Sequence, residues 1–246
     1  MSNPADSSDA RAAERLSPLT ILHDDYHLIA VNKSAPLLTQ APPGIPSLEA
    51  QVKAYIKDKY QKPAGVYLGI PHRLDRPVSG VVVFAKNTKA AQRIHRQFEQ
   101  RQVVKRYWAA IEGELPDEAG TWENWLRKIA EESRTVPAEP DEHGAKFARL
   151  DYRVIHRFPG GTLVELTPQT GRMHQLRVQA AWRGHPIFGD DLYGSQHRFG
   201  PTWENPREKV IALHARELTL NHPVSRELLR FVAELPAYWH PLGWPG

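Results

Sequence analysis

The chain has no cysteine in its 246 residues, which removes disulfides, zinc–thiolate sites, iron–sulfur clusters and thiol nucleophiles together. That fits a reducing, cytoplasmic setting. No apolar run approaches the roughly 20 residues that span a bilayer, so no membrane partner is expected. The start, MSNPADSSDARAAERLSP, lacks the apolar centre of a secretory signal and reads as a disordered polar leader over residues 1–17. Glycine-rich phosphate loops and an HExxH helix are also missing, which leaves nucleotide hydrolysis and zinc proteolysis without support. Charge of one sign is scarce as well. The formal net charge is only +4, with a pI near 9.3, compatible with a nucleic-acid partner but not diagnostic of one.

What is present suits a globular protein of one catalytic domain over residues 18–246. A hydrophobic fraction of 41% and a charged fraction of 24% argue against disorder throughout. LTILHDDYHLIAVNK carries apolar runs around Ile21 and Ile29 split by turn residues, the pattern of a β-hairpin. After APPGIPS, Ser47 is placed to cap a helix through about Tyr60, with Leu48, Val52, Tyr55 and Ile56 on one face. VVVFAK, Val81 to Lys86, is an apolar β-branched run expected to be a strand covered on both faces. Thr88 is predicted to cap a helix through NTKAAQRIHRQFEQR, with Ala91, Ile94 and Phe98 inward and Arg93, Arg96 and Arg101 outward.

YWAAIEG, ARLDYRVI, GTLVELTP and residues 211–220 pattern as strands, with RMHQLRVQAAWR as a helix among them. Residues 114–146, rich in Pro, Glu and Gly, read as a short strand at TWENWL followed by a surface loop. Strands and helices alternate without a βαβ rhythm. The expected class is α+β, with a mixed, largely antiparallel central sheet, flanking helices and a catalytic cleft.

The stretch richest in chemistry is PHRLDRPVSG, Pro71 to Gly80, where Asp75 stands between Arg73 and Arg76 just ahead of the buried strand. An Asp beside an Arg is ordinarily a surface pair of little energetic weight. HRLDRPVSGVVVFAKN, however, resembles the signature of the RluA family of pseudouridine synthases. KRYWAAIEG is similar to that family's Lys-x-Tyr strand, and LTPQTGRMHQLRVQAAWRGHPIFGDDLYG to its Gly-Arg-x-His-Gln block. ALHARELTLNHP is a weaker fourth match. The motifs follow in order from about Ile21 to beyond Pro223. Val78, Met173 and Gln179 depart from the usual Thr, Thr or Ser, and His.

The resemblance implies isomerisation of uridine in structured RNA, ribosomal or transfer, with no cofactor and no metal. Asp75 would be the catalytic carboxylate. It could attack C1′, stabilise an oxocarbenium ion or take the C2′ proton. A carboxylate in a base-sized pocket needs a cation to stay charged; the resemblance assigns Arg172 that role, with Arg177 the less favoured substitute. Tyr107 would stack on the uracil and assist loss of the C5 proton, and Leu176 would wall the pocket. A stacked uridine must be everted, for which His72 and Arg73 are the candidates, although His72 could instead support the loop from within. Arg93, Arg96, Arg101, Lys105 and Arg106 form a basic run suited to phosphates, Arg93 and Arg96 foremost. No S4-type RNA-binding domain fits in the leader, and a monomer is the default.

Two rival readings differ in class. A non-catalytic RNA-binding protein of degenerate synthase fold would bind RNA and leave uridine unchanged. A metal-dependent hydrolase is suggested by the twelve histidines and by HDDYH, His23 to His27, although their spacing supplies no recognised ligand set. Activity that survives chelation would separate it from the synthase reading.

Overall fold

The computed structural model describes residues 18–129 and 131–242; the polar leader expected over residues 1–17 lies outside them. The hairpin at the start forms as its apolar runs require, from β1 (Thr20–Asp24) and β2 (Leu28–Lys33), paired antiparallel. Helix α1 (Leu48–Lys59) begins at Ser47, whose Oγ accepts the amide of Ala50 at 3.3 Å, and it buries Leu48, Val52 and Ile56. Strand β3 (Ser79–Ala85) is buried along its whole length. Val82 and Phe84 join Ile29, Val31, Val52 and Ile56 on the α1 side. Val81 and Val83 join Ala90 and Ile94 of helix α2 (Thr88–Glu99) on the other. Two-sided burial explains why this run does not alternate. The cap of α2 is Asn87, not Thr88: its Oδ1 accepts the Ala90 amide at 2.9 Å, so Thr88 is already helical.

The remaining strands are β4 (Val104–Glu112), β5 (Ala119–Ile129), β6 (Arg134–Ala138), β7 (Lys146–Phe158), β8 (Gly161–Pro168), β9 (Leu213–Asn221) and β10 (Leu228–Val232). They form one sheet in the order β1-β2-β3-β9-β4-β8-β7-β5-β6, with β10 added beside β9. Among the described strands only β3 and β9 pair in parallel, through Ser79–His214 and Gly80–Ala215. The sheet is therefore mixed and largely antiparallel, as expected.

Within residues 114–146 the expected strand at TWENWL forms as part of β5, but the segment expected as surface loop contributes β6, which closes a hairpin on β5, and the start of β7. Trp122 and Leu126 point into the core while the charged Glu123, Arg127 and Lys128 between and beyond them do not, which dilutes the alternation. Pro137 sits in β6, at the sheet edge, where a missing N–H costs no ladder bond. Helix α3 (Gln175–Trp182) is also shorter than its sequence pattern, because His174 at its start adopts a left-handed conformation, φ 53°.

Candidate active site

Residues 71–80 cross one end of the sheet and run into β3, and nearly every residue of the loop is held from behind. Leu74 gives its amide to Thr39 Oγ1 at 3.0 Å, and the same hydroxyl donates to Leu74 O at 2.8 Å. Arg76 O accepts from Leu37 N at 3.1 Å and from Lys33 Nζ at 3.3 Å, and Lys33 also reaches Leu37 O at 2.6 Å. Lys33 is fully buried; burial pushes its ammonium down to about 7, with the charge of Asp75 opposing. Val78 N–H closes a turn onto Asp75 O at 3.1 Å. Gly80 holds φ +117°, and a Cβ there would stand 2.3 Å from Ala215 O. The Ser-Gly pair thus reflects the close approach of β3 to β9.

The fourth motif closes the same corner. Ser79 Oγ lies 2.8 Å from His214 Nδ1, and His214 Nε2 lies 3.1 Å from Ala233 O. The ring therefore donates to the carbonyl and accepts from the serine. Burial pushes His214 down to about 4, so it stays neutral.

Asp75 is presented by this frame with its side chain 34% exposed. Its Oδ2 accepts from Arg177 Nη1 at 3.1 Å and lies 3.5 Å from His174 Nε2. Arg177 is itself clamped by Asp190, through Nε–Oδ2 and Nη2–Oδ1 bonds of 2.7 Å each. Burial works against the Arg177 charge, but Asp190 and then Asp75 more than reverse that, and its proton is held above the usual arginine range. The guanidinium also lies over the Tyr193 ring, 5.0 Å from its centroid, and the Tyr193 hydroxyl is 2.9 Å from His174 Nδ1. Burial lowers His174 despite Asp75, with Arg177 adding to the effect.

The cation on Asp75 is therefore Arg177, and the expected pairing with Arg172 does not form. Arg172 donates its Nε to Phe147 O at 2.9 Å and its amide to Gln175 Oε1 at 3.0 Å. The left-handed His174 delays the helix to Gln175, so Arg177 rises from its first turn toward Asp75 while Arg172 stays in the lip before it.

A cleft of about 670 Å³ opens on Asp75, lined among others by Arg101, Lys105, Tyr107, Arg172 and Met173. At its base is a recess of about 120 Å³ walled by Leu74, Val78, Tyr107, Leu176 and Leu213, with Asp75 and Arg177 beside them. It is an apolar slot with a charged edge. Burial, then the charge of Asp75, raise the Tyr107 phenol well above its ordinary value, so it is a hydroxyl and not a phenolate.

Arg73 is exposed at the mouth. His72 turns inward: its Nε2 accepts the Val83 amide at 2.9 Å, and its ring stacks on Phe98 at 4.8 Å. Burial, with Lys105 nearby, pushes it down to about 3. This geometry fits the supporting reading of His72 and not insertion into RNA. Arg93 and Arg96 are exposed on α2, Arg93 bonding Pro223 O at 2.8 Å, and neither lines the cleft; Arg101 and Lys105 do.

Of the three departures, Val78 walls the recess and Met173 the cleft mouth. Gln179 is fully buried and donates to Trp122 O at 3.1 Å and Asn124 Oδ1 at 3.2 Å, so it braces β5 from beneath. Sequence reading passed over Lys33, Thr39, Asp190 and Tyr193. The GDDLYG of the third motif was the one local signal for Asp190 and Tyr193. HDDYH builds a turn, where Asp25 accepts from the amides of His27 and Leu28 at 2.6 and 2.8 Å and lies 2.8 Å from His23 Nε2.

The chain matches the RNA pseudouridylate synthase family over residues 27–182. It is 30% identical over 233 residues to the ribosomal large subunit pseudouridine synthase C of Rickettsia prowazekii, covering 94% of this chain and 73% of that one. It is 35% identical over 244 residues to the tRNA pseudouridine synthase C of Pectobacterium carotovorum, covering 93% of this chain and 63% of the relative. Among solved structures, human RNA pseudouridylate synthase domain containing 4 superposes with a TM-score of 0.74 at 27% identity, over 97% of this chain and 98% of that one.

Proposed function

The chain belongs to the RNA pseudouridylate synthase family, and we propose that it converts a uridine of structured RNA, ribosomal or transfer, to pseudouridine with Asp75 as the catalytic carboxylate. The observation that carries this reading is the placement of Asp75: a half-exposed carboxylate, fixed by Arg177, at the edge of an apolar slot the size of a base. The isomerisation breaks the C1′–N1 bond, turns the uracil in place and joins C5 to C1′; the C5 proton leaves and N1 gains one. Electrons balance without a redox partner. Asp75 serves at the sugar, by attack on C1′, by stabilising positive charge there, or by taking the C2′ proton. Arg177 orients the carboxylate while Asp190 holds Arg177.

Tyr107 supplies a face for the uracil. Its raised phenol passes a proton on only as it receives another, which suits a relay for the C5 proton and not a standing base. Leu176 and Val78 enclose the ring. Arg73, Arg101, Lys105 and Arg172 line the approach with the charge that a phosphate backbone requires, and His72 stabilises the loop from beneath.

The test uses RNA from cells lacking the gene and carbodiimide labelling, which reads the N1–H that pseudouridine gains. The purified protein is expected to create label-reactive sites, and Asp75→Asn to create none while still binding RNA. Pseudouridine formation by Asp75→Asn would overturn the assignment. Binding without product by the unaltered protein would favour the non-catalytic reading.

A further inference from the structure

Asp75 stands between two clefts. On its other side from the Tyr107 slot is a second concavity of about 540 Å³. Its charged walls include Arg73 and Arg76 of the Asp75 loop, Lys128 of the β5–β6 hairpin, Asp190 and Asp191 after α3, and Lys209 at the end of the 194–209 segment. Arg73, Asp75, Met173 and His174 line both clefts and form the ridge between them.

The charge in the second cleft does not cancel. Arg177 is neutralised by Asp190 and Asp75, and Lys209 by Asp191. Arg73, Arg76 and Lys128 have no carboxylate partner among the described residues. Arg207 stands near Arg76, on an exposed turn that places Pro206 in the cleft wall. Burial and the Arg207 charge both lower the proton affinity of Arg76, as expected for like charges gathered in a concave site. The acids of the cleft, Asp75, Asp190 and Asp191, are engaged by Arg177 and Lys209, so an anion would relieve the repulsion.

We propose that this second cleft binds a backbone phosphate of the RNA strand beside the everted uridine, gripped by Arg76, Lys128 and Arg207. The inference rests on the synthase reading and adds a direction to it. The base enters the Tyr107 slot, the ribose lies over Asp75 on the ridge, and the strand continues past Met173 into the cationic side. Arg207 lies beyond the residues that match the family, 27–182, and Lys128 comes from a hairpin tip. The grip is thus built partly on segments outside the catalytic frame, where substrate choice can vary without moving Asp75.

Lys128 and Arg207 are exposed, so Lys128→Gln/Arg207→Gln should fold. Two measurements test the site. The first is the salt dependence of binding to a labelled oligouridylate, in the Asp75→Asn background. Losing the grip on that one phosphate should make the slope of log affinity against log salt shallower by about 0.7, the value for one phosphate of a single strand. Lys57→Gln/Lys62→Gln, which removes equal charge from the exposed end of α1 and the segment after it, should leave that slope unchanged.

The second is steady-state kinetics with an RNA that the unaltered enzyme modifies, where KM should rise several-fold at constant kcat. An unchanged slope, or equal flattening by both double variants, would overturn the phosphate grip while pseudouridine formation by the unaltered enzyme left the synthase reading standing. A flattened slope in the cleft variant alone supports the grip even if no product forms, in which case the synthase reading fails by itself.

Discussion

The floor of the cleft and its rims are built on opposite principles. On the floor, each buried polar group is answered: Arg177 by Asp190 and Asp75, Lys33 by three backbone carbonyls, and the neutral His214 by Ser79 and the Ala233 carbonyl. On the rims, Arg73, Arg76, Lys128 and Arg207 converge without carboxylate partners among the described residues. Buried charges cost several kcal/mol unless fully bonded, so a site that must hold one atom in place satisfies them internally. Exposed cations are cheap to leave open, and open cations attract a polyanion. On the proposed reading, the difference separates the groups that perform chemistry from those that hold the substrate.

The comparison can be broken hardest at Asp190. Asp190→Ala leaves the buried Arg177 with only Asp75, and stability is expected to fall by about 3–5 kcal/mol, read by chemical denaturation. A loss under about 1 kcal/mol would mean that the floor is not held by this pair.

Acid should attack the floor next. His214 is buried neutral and pushed down to about 4, against an ordinary 6.5 in the unfolded chain. Between those values the unfolded chain binds a proton that the folded one refuses, so stability present above pH 6.5 is lost as pH falls toward 4. The loss is roughly 3 kcal/mol for this group. His72, pushed down to about 3, acts in the same direction. His214→Asn should flatten that part of a denaturation profile taken against pH; an unaltered profile would show that the ring is not buried as a neutral group.

The smallest effect is expected at the rim. Arg172→Ala should cost about 1 kcal/mol or less through its bond to Phe147 O and should raise KM while leaving kcat close to that of the unaltered enzyme. A collapse of kcat would restore Arg172 to the Asp75 pairing that the sequence pattern suggested.

Much of this was legible along the chain because it is local. The hairpin at Ile21 and Ile29, the Ser47 cap, the two-sided β3 and the mixed sheet all follow from periodicity within a few residues. The candidacy of Asp75 came instead from the resemblance of its loop to the RluA signature, whose glycine is explained by a backbone approach only glycine permits. Of the β5–β6 hairpin only the strand at TWENWL was legible; its partner β6 escaped because that edge strand contains Pro137 and lies in a stretch rich in Pro and Glu. Thr88 yielded its cap to Asn87 by one residue, the usual scale of error at a helix end.

The sequence by itself determined the reagents: an acid in a turn ahead of a buried strand, a tyrosine on a neighbouring strand, and arginines in a block further on. Which arginine meets the acid was decided only in three dimensions, where one left-handed residue at the start of α3 sets the helix phase. Partners 102 residues apart along the chain meet through the register of strands and the onset of helices. A contact of that kind depends on where whole elements pack, and no short stretch of chain encodes it.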